Sequence, residues 1–348
     1  MIITHADADG WCSAGIFLLT KTSKKTRERI KTVRYATVRY INILLEQILR
    51  NQNPYPLFIF DLNADDTETY KNLLIKLASK GFKITLIDHH IVPENFDKFL
   101  IENGIKVIRD TSICCSELVY RKFKDEIPKN EQNKAEFLMC IGAIGDKRIT
   151  DFIKKKMFSF RWEELFDLYA VLIAGIRDGK EFLNSILIEK DRDGVGFTKK
   201  LYNRAARKRF WLEKIKRQVL NKYELINDKI CVIHIFKKYL GLAASILIEE
   251  LDVKYVIAIG DRPPDNIINK IILFIKQLLK PFFIKKNRPK GNKMIRISIR
   301  STKPINNIIK KLAKDCGGFG GGHKFACGVR IPNDKLNTFL KKFVKEVE

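Results

Sequence analysis

The sequence predicts an α/β protein: an N-terminal, doubly wound and mainly parallel sheet, a helical linker, and a smaller C-terminal α/β domain. Three observations carry this expectation. Short apolar runs alternate with segments of helical period from residue 1 to about 125, strand character disappears over 133–225, and it returns from 229 onward. Alternation of this kind marks βα repeats, whose crossovers make consecutive strands parallel.

Taken in order, strands are expected near 1–5, 32–37, 56–61, 82–88 and 105–109, with helices between them. Leu73, Leu74 and Leu77 lie on one face of the helical segment after Asp61. Residues 133–225 read as helices that end in the long basic segment Tyr202 to Leu225. Strands then fit 229–236, 253–259, 294–300 and 324–331, and helices fit 240–251, 304–314 and 333–347. These limits divide the chain into a domain at 1–200, a linker helix at 201–226 and a second domain at 227–348.

A chain of 348 residues with 45% apolar content is long enough for two domains with their own cores. Its formal charge of +26, from 66 Lys and Arg against 40 Asp and Glu, attracts polyanions, of which nucleic acid is the obvious one. Genome bias or heat adaptation accounts for a lysine-rich composition equally well. The seven cysteines form no CxxC pair, so neither a disulfide framework nor a zinc ribbon is indicated and a reducing compartment is expected. The first strand begins at Met1, leaving no room for a targeting peptide, and no apolar run approaches the roughly 18 residues that span a membrane. A cytoplasmic protein is the expectation.

The chemistry lies at the ends of strands. MIIT runs into His5-Ala6-Asp7-Ala8-Asp9-Gly10, PLFIF into Asp61, and FKITLI into Asp88-His89-His90. The carboxyl ends of parallel strands share one side of the sheet, so these segments meet in one crevice. One Asp after a strand is an ordinary turn former or cap; three such ends in succession describe a metal site. Asp7 and Asp9 alternate, with His5 two residues earlier, so all three share a face of an extended chain. Mixed oxygen and imidazole donors without cysteine suit Mn²⁺ or a similar divalent ion, with Mg²⁺ as the alternative. Asp61, His89 and a later acid complete enough ligands for two ions roughly 4 Å apart, an arrangement for in-line attack on phosphorus. That later acid is Asp146, in CIGAIGDKR, where small residues let a helix end approach the sheet; a plain helix C-terminal acid is the other reading.

In the second half, six glycines between 317 and 328 let backbone N–H groups approach a phosphate, to which His323 adds a hydrogen bond; a flexible turn reads the same way. Arg300, at the end of IRISIRS, either offers a planar fork to a phosphate or covers an edge strand. His234 sits in an apolar strand, where a structural role is expected.

The set HADADG, Asp61, LIDHH and GDK resembles the DHH phosphoesterase superfamily, and residues 317–328 are similar to the GGGH motif of its associated C-terminal domain. The resemblance covers nearly the whole chain. It implies that His5 and Asp7 bind one ion, that Asp9, His89 and Asp146 bind the other, and that Asp61 bridges them. It further implies that Asp88 orients an imidazole and that His90 contacts the scissile phosphate and helps protonate the leaving oxygen. Arg300 and Ser301 are similar to the family's substrate-anchoring pair, and Gly320, Gly321, Gly322 and His323 would bind substrate with them.

Against the family pattern, about 264–293 looks like an insertion. Ile267, Ile268, Ile271, Ile272, Ile275, Leu278 and Leu279 fall at helical spacing, followed by a basic tail from Lys285 to Lys293. Its apolar face either packs on its own domain or docks a protein or single-stranded nucleic acid.

HxDxDG with a strongly basic chain is most similar to the archaeal RecJ-like branch. The resemblance thus implies a metal-dependent exonuclease of single-stranded DNA or RNA, associated with helicase or replisome proteins in replication or repair. Bacterial RecJ begins its first motif with Asp and carries an OB-fold domain, so its 5′ to 3′ polarity does not transfer, and either polarity fits. The alternatives are a nanoRNase-like phosphodiesterase acting on short oligonucleotides or 3′-phosphoadenosine phosphate, and a replication scaffold without catalysis.

Overall fold

Five short strands carry side chains alternately to two buried faces, and that alternation builds the first sheet. In this computed structural model, which describes residues 1–20, 30–64, 66–173, 176–188, 199–262 and 294–348, the strands are β1 (Ile2–His5), β2 (Val33–Ala36), β3 (Pro56–Phe60), β4 (Lys83–Asp88) and β5 (Lys106–Arg109). All neighbours are parallel, in the spatial order β2-β1-β3-β4-β5. Ile2, Phe60 and Ile87 enter one core while their neighbours Ile3, Ile59 and Leu86 enter another. Helices α2 (Ile41–Asn51), α3 (Thr67–Ser79) and α4 (Phe96–Glu102) cover the second core. The first is covered by α1 (Ala8–Leu18), α5 (Cys115–Phe123), α6 (Gln132–Asp146), α7 (Asp151–Met157), α8 (Trp162–Ile173) and α9 (Ile176–Ile188). With both faces buried, the strands read as continuous apolar runs. The doubly wound pattern is therefore the observed one. The strand order reverses between β1 and β3, and such a switch point is where an open α/β sheet takes its ligand.

The chain divides into two units, Met1–Phe210 and Trp211–Glu348, with α10 (Lys199–Leu220) running from one into the other. The second unit has its own sheet, ordered β10-β11-β9-β8-β7-β6. Its strands are β6 (Tyr223–Asn227), β7 (Ile230–Phe236), β8 (Tyr255–Arg262), β9 (Met294–Ser301), β10 (Phe319–His323) and β11 (Ala326–Pro332). Only β7 and β8 run parallel. Helix α11 (Leu240–Glu250) and the end of α10 pack on one face, and α12 (Asn306–Asp315) and α13 (Leu336–Val347) on the other.

Two expectations need correction. The linker helix expected to reach 226 stops at Leu220, and Tyr223–Asn227 form edge strand β6. Leu225 and Ile226 are both exposed there, so β6 has no apolar alternation to be read. The Gly-rich segment is not a loop: β10 pairs antiparallel with β11 through a two-residue turn at Lys324 and Phe325. Glycine hides the strand because it has no side chain to pattern, yet the packing demands it. At Gly322 φ is 143°, and a Cβ would lie 2.3 Å from the carbonyl oxygen of Ala326. The segment 264–293 lies outside the described residues. All seven cysteines are buried and unpaired, and no described helix is long and apolar enough to cross a membrane.

Gly322→Ala is expected to destabilise the second unit by at least about 1–3 kcal/mol, through forced φ and overpacking. A thermal melt equal to that of the parent would show that the hairpin tolerates the side chain.

Candidate metal centre

The first donors come from the junction of β1 and α1. Asp7 is the N-cap of α1 and accepts the N–H of Gly10 at 3.0 Å. Any side chain at position 10 would collide with His5, since a Cβ there falls 2.5 Å from its carbonyl oxygen. This tight turn sets Asp7 Oδ2 at 2.5 Å from His5 Nδ1. At the end of β3 the chain leaves the sheet through Asp61 in a left-handed conformation, φ 56°. That conformation costs a non-glycine residue about 1–3 kcal/mol and concentrates at functional sites. Both Asp61 oxygens face imidazoles: Oδ2 lies 3.7 Å from His5 Nδ1, and Oδ1 lies 3.0 Å from His89 Nε2.

His89 and His90 follow β4. The other ring nitrogen of His89 lies 3.5 Å from Oδ2 of Asp146, the last residue of α6. Helix α6 ends at Lys147 in a left-handed turn. Gly145 lets it lie against α1, because a Cβ there would be 2.5 Å from that of Ala8. The small residues of CIGAIGDKR thus bring the helix end to α1, rather than to the sheet as expected. Arg148 Nε sits 2.9 Å from the same Asp146 oxygen. Asp9, also buried, is held from elsewhere: its two oxygens accept the N–H groups of Cys115 and Ser116, at 2.7 and 2.9 Å, in the first turn of α5. The positive end of that helix favours its carboxylate.

Three ligand groupings result, each with donor atoms within 4.8 Å of one another: His5 with Asp7 and Asp61; Asp9 with His89 and Asp146; and Asp61 with His89 and His90. The structure therefore brings together every metal residue singled out in the sequence. A fit for cations is visible in the uncommitted atoms. Both oxygens of Asp61, Nδ1 of His5, Nδ1 of His89 and Oδ2 of Asp146 are buried and make no hydrogen bond of proper geometry, despite their close neighbours. Buried polar atoms are rarely left this way. Carboxylates and imidazoles aimed at shared points suit a divalent metal ion.

Charge balance agrees. Burial, and then the charges of Asp7 and Asp9, push Asp61 up to about 7. Burial likewise raises Asp146 to about 6, against the pull of His89. Burial alone would depress His5 and His89, but the carboxylates beside them outweigh it and raise the two to about 11 and about 9. The protein without metal thus keeps protons where cations belong.

Asp88 points away from these groupings. Its Oδ1 is 2.7 Å from His90 Nδ1, and its Oδ2 accepts from Arg109 Nη1 at 2.5 Å. Arg109, at the end of β5, also donates to the carbonyl oxygen of His90 at 2.9 Å and, through Nε, to Asp97 of α4 at 2.7 Å. Against the cost of burial, His90 and Arg109 hold the Asp88 carboxyl below its usual range. Sequence reasoning missed Arg109 and Asp97, although Arg109 ends a strand of the same sheet as Asp61 does.

In the second unit, two of the residues expected to bind substrate share one row of the sheet, since His323 pairs with Ala326, which pairs with Arg300, while Gly320, Gly321 and Gly322 occupy the rows opposite Val329, Gly328 and Cys327. Arg300 donates from Nε to Ser245 Oγ at 3.3 Å, and from Nη1 to Ser298 Oγ at 3.4 Å and the Ile299 carbonyl at 3.3 Å. No carboxylate pairs with it among the described residues, and burial lowers its pKa. The Ser301 hydroxyl donates to the Lys303 carbonyl at 2.6 Å, which ties down the turn after β9. Ser245, on α11, was missed because a serine inside a helix carries no motif.

Residues 1–143 match the family model for the DHH family N-terminal domain, and residues 229–348 match that for the DHHA1 domain. No curated protein matches the chain at a significant level. Among solved structures, a DHH-domain protein described as a member of a family of ribosomal proteins is 16% identical with a TM-score of 0.65, over 99% of this chain and 85% of its own. RecJ from Thermus thermophilus, in complex with Mn²⁺, is 13% identical with a TM-score of 0.60; the match covers 98% of this chain and only 50% of RecJ. A pGpG-specific phosphodiesterase, PggH from Vibrio cholerae, is 12% identical with a TM-score of 0.50, over 99% of this chain and 98% of its own. At these identities the likeness is one of fold.

Metal binding should displace protons and weaken as the pH falls, most steeply below about 7, where Asp61 takes up its proton. Calorimetry with Mn²⁺ in buffers of different ionisation enthalpy reads both effects; a pH-independent affinity with no proton release would contradict the assignment. Arg109→Gln should cost roughly 3–5 kcal/mol by leaving Asp88 buried without its cation, and should lower turnover while Mn²⁺ affinity stays near the parent's. Turnover equal to the parent's would show that His90 needs no such anchoring.

Proposed function

This chain belongs to the DHH superfamily of phosphoesterases, with a DHH domain followed by a DHHA1 domain, and from that premise we propose that it is a metal-dependent exonuclease of single-stranded DNA or RNA. The observation that carries the reading is the convergence of buried, uncommitted donor atoms from His5, Asp61, His89 and Asp146 at the switch point of a parallel sheet. His5, Asp7 and Asp61 would hold one divalent ion, and Asp9, His89 and Asp146 a second, with Asp61 between them. When bound, such ions neutralise phosphate charge and lower the pKa of water. Mn²⁺ is the favoured ion, in line with the mixed donor set and with the RecJ structure that holds it.

The chain's own groups supply the remainder. With Nδ1 committed to Asp88, His90 exchanges a proton through Nε2 and is the group to protonate the leaving oxygen. Arg109 fixes both the acid that orients this ring and the backbone that carries it. Arg300 presents a half-buried guanidinium, uncompensated by any described carboxylate, that suits a substrate phosphate. The charge of +26 favours a long polyanion, because each phosphate neutralised releases counterions. Either polarity fits, and a helicase or replisome protein is the expected partner. A second reading, hydrolysis of dinucleotides or other short oligonucleotides, has its own support: the match to the pGpG phosphodiesterase spans nearly all of both chains, whereas half of RecJ has no counterpart here.

The test incubates the protein and Mn²⁺ with single strands of DNA and RNA labelled at either end, beside Asp61→Ala. A ladder from the 5′ label with immediate mononucleotide release from the 3′ label means 3′ to 5′ digestion, and the mirror image means the reverse. Asp61→Ala should lose at least about a hundredfold in rate while keeping its fold. Long strands that survive while dinucleotides are cleaved select the second reading.

A further inference from the structure

The first unit has a second polar concavity, outside the metal groupings. Strand β2 is at the edge of its sheet. Beside it Lys31, Val33, Arg34 and Tyr35 enclose, with Leu44 of α2 and Lys180 of α9, a cavity of about 420 Å³. Pockets of about 300–1,000 Å³ are the usual size for small ligands. Half of the lining residues are cations and none is an acid. Several other cations of this unit have acidic partners, as Arg121 has Glu117, Lys156 has Glu136 and Arg204 has Glu181. Lys31, Arg34 and Lys180 have none among the described residues. Lys180 reaches only the carbonyl oxygen of Lys31, at 3.5 Å, and burial together with the Arg34 guanidinium pushes its pKa down. Like charges gathered around a concavity repel, and a bound anion relieves that cost.

An aromatic surface accompanies the charge. Tyr35 is 42% exposed, with its ring centroid 6.0 Å from that of buried Trp11. The cavity also has a fixed relation to the metal centre. Ala36 pairs with His5, Tyr35 with Thr4 and Arg34 with Ile3. Arg34 therefore lies two residues, about 7 Å along the strand, from the level of the first metal donor.

We propose that this cavity is a nucleotide subsite, in which Lys31, Arg34 and Lys180 bind the phosphate of a nucleotide removed from the scissile bond and Tyr35 stacks on its base. The assignment rests on the reading of the protein as a nuclease of single strands. It makes the chain sense substrate beyond the scissile bond itself, because Lys31 precedes Arg34 and so lies further still from the level of the metal donors. Free nucleotides carry the same chemistry, so the test separates the two sources.

The experiment measures fluorescence anisotropy with the full-length Asp61→Ala protein, which leaves strands intact, against a labelled single strand of about 12 nucleotides and a labelled mononucleotide. The same protein with Lys31→Ala, Arg34→Ala and Lys180→Ala is compared, and in a third sample Tyr35→Ala alone. The triple change should weaken strand binding at least about tenfold and flatten the dependence of log K on log salt by roughly 0.7, the share of the one phosphate that the three side chains hold together. Tyr35→Ala should cost about tenfold with no change in that slope. With Asp61 restored, the triple variant should cleave dinucleotides at the parent rate, which also reports a sound fold. Loss of mononucleotide affinity with strand affinity unchanged would assign the cavity to a free nucleotide and overturn the strand assignment. Parent-like affinity and slope for both probes would overturn the subsite altogether. If the Asp61→Ala protein binds no strand before the cavity is touched, the nuclease reading itself falls, and the mononucleotide arm alone decides the cavity.

Discussion

The carboxylate of Asp61 is only 2% exposed and lies in the field of Asp7 and Asp9. A buried acid in that setting ionises only when positive charge sits beside it. Much of the first unit's architecture answers this constraint. Parallel strands bring His5 and His89 to either side of Asp61, and helix α6 brings Asp146 to the far nitrogen of His89. Without metal, the imidazoles carry the compensating charge as protons; a divalent cation held by these residues would supply the same compensation.

Donors that converge must also be prevented from collapsing onto one another. Three of them have partners outside the cluster of donors. Asp7 caps α1, Asp9 accepts from the first turn of α5, and Arg148 reaches Asp146 from beyond the end of its helix. Behind His90, Asp88 and Arg109 join β4, β5 and α4 in one chain of charged hydrogen bonds. Such outer partners commonly orient the groups they hold and tune their basicity.

The second unit applies the opposite rule, that of a half-buried cation with no acid beside it among the described residues. Arg300 has serine hydroxyls and a carbonyl for partners, which hold its plane without cancelling its charge. The hairpin of β10 and β11 lies next to it in the sheet, with glycine at positions where backbone crowds against backbone. An anion is the natural complement to that environment.

The strands of both sheets, apart from β6 and β10, were legible because buried strands are apolar runs of predictable length. Five of the six metal-binding candidates were legible because acids and histidines that follow the ends of parallel strands have little else in common than the crevice they share, whereas Asp146 ends a helix and was singled out by the small residues before it. β6 was not, since its apolar residues face solvent, and β10 was not, since glycine carries no pattern. Local periodicity and composition were enough to specify the parallel sheet, the ends of its strands as the place of chemistry, and the donor types. They could not specify that Asp9 is anchored by α5, that Arg109 stands behind the histidine pair, or that Lys31, Arg34 and Lys180 gather at the edge of β2; folding in three dimensions did. Those contacts join residues up to about 150 positions apart, and packing, which no local pattern encodes, selects which distant groups meet.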